Sequence, residues 1–64
     1  MTGGDIHTEP YGARWATTVE GDAAPVNLHD TRLMAVKLGR ELARQRRVGH
    51  HIHNQDGTIS EAAA

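Results

Sequence analysis

Apolar and polar positions alternate along most of this chain and change to a longer period once. Between residues 29 and 47 the apolar residues recur at helical spacing. Ala35, Leu38, Gly39 and Leu42 share one narrow face at about 100° per residue. The pattern predicts one helix over about 31–47, N-capped by Asp30 or Thr31, whose short side-chain oxygens can accept from first-turn amides. The acid of a capping box is missing, because Met34 stands three residues after Thr31. Arg44, Arg46 and Arg47 suit the negative end of the helix dipole, and Gly49 lies where a stop is expected. Glycine inside a helix costs roughly 0.5–1 kcal/mol against alanine. Gly39 on the apolar face therefore predicts a very close approach of the helix to what lies beneath, such as a large ring.

The shorter period predicts strands. Residues 5–9 alternate loosely with Ile6 inward, and Pro10, Tyr11 and Gly12 read as a turn. Residues 14–20 form the clearest strand, rich in β-branched positions, with Trp15, Thr17 and Val19 inward and Arg14, Ala16, Thr18 and Glu20 outward. Residues 21–24 read as a loop and 25–28 as a third strand with Val26 and Leu28 inward. After the helix, residues 48–53 place Val48, His50 and Ile52 on one face and His51 and His53 on the other. Residues 54–57 end in Asp-Gly, a strong turn signal, and 58–60 form a short return with Ile59 inward. The expected fold is α+β: a small antiparallel sheet of three to four strands, in β-β-β-α-β order, with one helix packed across one face. Its core would hold Ile6, Trp15, Val19, Val26, Leu28, Ala35, Leu38, Leu42, Val48, Ile52 and Ile59.

Sixty-four residues make a single domain, with 1–4 and 61–64 expected as loose tails. A chain this short buries about 60% of its unfolded surface, and without cysteine it must rely on compact packing or self-association. The longest apolar run, residues 33–36, falls far short of the ~20 residues of a membrane span. The start, MTGGDIHTEP, lacks the basic and apolar regions of a signal peptide. A cytoplasmic protein is expected. The formal charge of −1 argues against a strongly nucleic-acid-seeking domain. The balance is uneven, however: six of the seven cations lie between Arg32 and Arg47, beside one acid, Glu41.

The ordered set RWATTVEG, HDT, AVKLGRELAR and IHNQDGTI, covering roughly residues 6–60, resembles a family of small bacterial proteins known as domain of unknown function 2188. Ile52, His53, Asp56, Gly57 and Ile59 match the family's closing motif, while Asn54 and Gln55 replace its Gly-Arg. Met34 stands where the family commonly has Glu, and residues 61–64 replace an aromatic-containing tail. The resemblance implies a compact sheet-plus-helix domain. It transfers no activity and no catalytic residue. With the Ala/Gly/Arg-rich composition, it points to a bacterial or phage source.

Three groups of residues are candidates for recognition. Leu33 and Val36, with Met34 at the edge, lie away from the expected core face and could form a dimer or partner patch. Lys37, Arg40, Arg44 and Arg47 make a basic stripe about 15 Å long, able to track phosphates. The plainer reading of that stripe is a solvated face, helped by a Lys37–Glu41 pair. His51 and His53 share a strand face and could bind zinc, nickel or copper, with His7, Glu9 or Asp56 as third ligand. The plainer reading is ordinary strand histidines, His53 bonding to the Asp56–Gly57 turn. No nucleophile–base pair, phosphate loop or acid pair is evident, so no enzyme, cofactor or small-molecule substrate is expected. The expected role is a non-enzymatic interaction module for a protein partner or a second copy. Nucleic-acid binding through the stripe is the alternative, and weak metal binding the third.

Overall fold

The computed structural model describes residues 4–63. Its elements are β1 (Ile6–Tyr11), β2 (Arg14–Val19), β3 (Asn27–His29), α1 (Arg32–Arg46), β4 (His50–His53) and β5 (Ile59–Ala63). The five strands form one sheet in the order β3-β2-β1-β4-β5, and α1 packs across one face. The α+β class and the β-β-β-α-β order are as expected. The sheet departs from expectation in two respects. Residues 59–63 make a full fifth strand against β4, where a short return and a loose tail were expected. In addition, β1 and β4 run parallel, with Ile6 opposite His50 and Thr8 opposite Ile52, so the sheet is mixed rather than antiparallel. The cause is direction: β1 and β3 both lie antiparallel to β2, and α1 then carries the chain back before β4 begins. Parallel neighbours need such a crossover, usually a helix. Of the expected tails, residues 1–3 and Ala64 lie outside the described residues.

Local chemistry fixes the ends of the elements. Gly12, at φ +63°, and Ala13 connect β1 to β2, so Pro10 and Tyr11 belong to the strand and not to the turn. The Ile6 amide donates to Gly49 O, so alternate amides of β1 face β4. Pro10, which has no amide, falls beyond Thr8, where that pairing stops. Thr31 caps α1 by accepting from the Met34 amide at 3.2 Å. The helix ends before Gly49. Arg47 takes the left-handed conformation at φ 58°, and the Val48 amide returns to Ala43 O at 3.0 Å. Val48 then packs against Ile6, Val19 and Ala43, and this apolar contact secures the turn.

Between helix and sheet lie Ile6, Thr8, Thr17, Val19 and Ile52 below, with Ala35, Val36, Gly39 and Ala43 above, all buried. The expected close approach occurs at Gly39. A Cβ there would lie 2.6 Å from Nε2 of His50 and 2.7 Å from Oγ1 of Thr8. Thr8 Oγ1 donates to Ala35 O at 3.3 Å, so its short contact with His50 Nε2, at 2.8 Å, is a bond donated by the ring. Three expected core residues lie outside: Val26, Leu28 and Ile59 are 47%, 37% and 53% exposed. For β3 the reason is a one-residue difference in phase, which exchanges the faces of a strand. His29, the last residue of β3, turns inward and bonds Thr17 at 3.0 Å, and Leu28 turns out.

Candidate functional site

The sheet face opposite α1 gathers five titratable side chains from three strands and their flanks. Parallel pairing sets His7 beside His51, with rings stacked at 4.8 Å, and brings the His53 ring to 5.0 Å. His7 donates from Nε2 to Glu20 Oε2 at 2.8 Å, and its Nδ1 meets His53 Nε2 at 2.7 Å. A neutral His7 donating to Glu20 therefore accepts from His53. His51 donates from Nε2 to Asp5 Oδ2 at 2.8 Å. That bond first, and the Gly49 amide at 3.1 Å second, hold the Asp5 carboxyl below the usual aspartate range. Ligand atoms of His7, Glu20 and His51 all lie within 4.8 Å of one another. The cluster is open to solvent, with side-chain exposures of 20%, 53% and 25%.

Sequence spacing pairs His51 with His53 and names His7 among three possible partners; the structure brings all three together. The other two do not join them. Glu9 accepts from the Thr18 hydroxyl at 2.7 Å. Asp56 accepts from the amide and hydroxyl of Thr58, which hold its carboxyl low. His53 bonds His7 and not the turn, which is closed by Asn54, Asp56 and Thr58. Sequence reasoning missed Glu20 and Asp5. The signal was present: counting outward from a two-residue turn at Gly12 and Ala13 sets Glu20 across from Asp5 and diagonal to His7, and the Glu20 amide indeed reaches Asp5 O at 3.0 Å.

The helix candidates separate. Leu33 and Met34 are exposed, at 69% and 55%, but Val36 is 9% exposed and belongs to the core. The buried arc of α1 is centred further round than expected, on Ala35, Val36, Gly39 and Ala43, leaving Leu38 and Leu42 half-buried at its flank. Met34 and Leu38 line a shallow groove with His29, Lys37 and Glu41. Lys37, Arg40, Arg44 and Arg47 are all exposed. Glu41 pairs with Arg44 at 2.6 Å, not with Lys37, and this bond holds the Glu41 carboxyl below its usual range. The Arg32 guanidinium lies 5.8 Å from the centre of the Trp15 ring, a cation–π contact over one edge of the core.

These features define a class: a small α+β domain, helix-covered on one side of its sheet and histidine-rich on the other. No helix among the described residues is long and apolar enough to cross a membrane. The chain belongs to DUF2188, a family described as uncharacterised proteins conserved in bacteria, whose model matches residues 6–63. No curated protein and no solved structure matches it.

Proposed function

We propose that this domain is a non-enzymatic binding module of the bacterial cytoplasm that recognises a protein surface, a second copy of itself included. The observation that carries this reading is the distribution of large apolar side chains. Ile6, Thr8 and Thr17 are the largest side chains completely buried, while Leu33 and Met34 stand largely exposed on one turn of α1. Met34 leads into the groove with Leu38 and His29, rimmed by Lys37 and Glu41. A domain with so small a core gains stability when a partner covers such a surface. The exposed line of Lys37, Arg40, Arg44 and Arg47 favours a second reading, binding of a polyanion. Molar mass in solution, at low and high salt and with and without a short nucleic-acid duplex, tests both. Association that ignores salt and is lost in Leu33→Asp supports the protein interface. A monomer that joins the duplex at low salt, releases it at high salt and fails to join it when Arg40 and Arg44 become Ala replaces it with the polyanion reading. A monomer indifferent to both overturns the two together.

A further inference from the structure

We propose that His7, His51 and Glu20 form a binding site for a divalent transition-metal ion of the zinc, nickel and copper class, on the open face of the sheet. The site is independent of the interface on α1. Two imidazoles and one carboxylate suit borderline cations of this class, whereas magnesium and calcium prefer all-oxygen shells. The three donors come from three separate places in the chain, fixed by strand pairing. His7 and His51 are register partners in β1 and β4, and Glu20 follows β2 directly.

The ligand atoms already lie within 4.8 Å of one another. A tetrahedral zinc ion, with bonds of about 2.0–2.1 Å, needs donors roughly 3.4 Å apart, so side-chain rotation without movement of the strands closes the site. The surroundings supply what metal-binding histidines require, a partner for the second ring nitrogen or a group that fixes the ring. His53 holds Nδ1 of His7 at 2.7 Å and so leaves Nε2 to the ion. Asp5 fixes the His51 ring at 2.8 Å. Nε2 of His7 and Oε2 of Glu20, now 2.8 Å apart, are bridged by one proton, and the ion takes that proton's place. Nδ1 of His7 must then hold a proton to donate to His53, and it receives the one on His53 Nε2 along their 2.7 Å hydrogen bond. His53 takes a proton from water at its own Nδ1 in exchange for the one displaced from His7 Nε2, so binding reverses the tautomers of both rings. Glu20 and Asp5 together offset the charge of the ion. The fourth position is left to water.

Untagged protein, titrated with zinc chloride and followed by imidazole nitrogen–proton NMR, tests the proposal. The expected result is a shift of the His7 and His51 ring resonances, with His7 protonated at Nδ1 and with His29 and His50 unchanged. Zinc should also raise the thermal midpoint, and magnesium should not. His51→Ala and Glu20→Gln should each remove that rise, and His53→Ala should weaken zinc binding roughly 10-fold to 100-fold. The proposal is overturned if the His7 resonances do not move in the unaltered protein. It is equally overturned if Glu20→Gln binds zinc as well as the unaltered chain, which would reveal adventitious coordination by exposed imidazoles.

Discussion

The two faces of the sheet use histidine in opposite ways. Beneath α1, His29 and His50 are 8% and 4% exposed, and each is bonded to a threonine hydroxyl, Thr17 and Thr8. Each pair is a space-filling polar unit whose atoms satisfy one another inside a core of small side chains. On the opposite face, His7 bonds His53 and Glu20, and His51, stacked on His7, bonds Asp5. That face sets imidazole nitrogens beside carboxylate oxygens, a donor set suited to a cation. Adjacent residues of one strand, His50 and His51, thus belong to different chemistries. The difference comes from the partner across the strand, not from histidine itself.

The strongest challenge to this contrast is to remove one histidine from each side. His50→Ala should cost about 2–3 kcal/mol, from the cavity it leaves and the lost bond to buried Thr8. His51→Ala should cost under about 1 kcal/mol, because exposed ion pairs contribute little. Chemical denaturation of both variants checks this, and equal losses would abolish the distinction. Gly39→Ala sharpens it next. Its Cβ would press on His50 and Thr8, so a loss of about 1–2 kcal/mol is expected despite the better helix propensity of alanine. Combined with His50→Ala the same change should cost less but not nothing, because Thr8 Oγ1 would still lie 2.7 Å from the Cβ, and a double-mutant cycle would reveal the coupling. The smallest effect belongs to acid. Asp5 and Asp56 have carboxyls held below the ordinary aspartate range, Asp5 chiefly by His51 and Asp56 chiefly by the Thr58 amide. Their contribution is therefore complete above the unfolded aspartate value, near pH 4, and is lost as pH falls through the lower folded values. Stability measured between pH 5 and 2 should fall less steeply in Asp5→Asn than in the unaltered chain.

Much of this architecture could be read from residue pattern. The helical period between residues 29 and 47 gave α1, and the cost of Gly39 pointed to a ring beneath it, which is His50. The ordered set RWATTVEG, HDT, AVKLGRELAR and IHNQDGTI pointed to the family whose model matches residues 6–63. The features that escaped depend on tertiary partners. His29 is buried because Thr17 is there to satisfy it, and hydrophobicity along a strand cannot show that a polar ring has found its acceptor. The resulting one-residue phase of β3 sent Leu28 outward. Val36 was misplaced because the buried arc of α1 follows its small residues, Ala35, Gly39 and Ala43, and not its leucines. Glu20 entered the cluster through hairpin register, and the three histidines met because β4 lies beside β1 and not at an edge next to β3.

That strand order also has a consequence for how the protein is made. β1 is made before the other four strands of this sheet, yet it occupies the middle. While β2 and β3 emerge, β1 can pair with β2 on one side, and its described neighbour on the other side, β4, has not yet been made. The missing neighbour arrives only when residues 50–53 have been synthesised, after the whole of α1. Until then the outward amides of Ile6 and Thr8 form a bare edge on which another nascent chain could add. Arrival of β4 therefore covers this edge and ends the interval in which it can join the wrong partner.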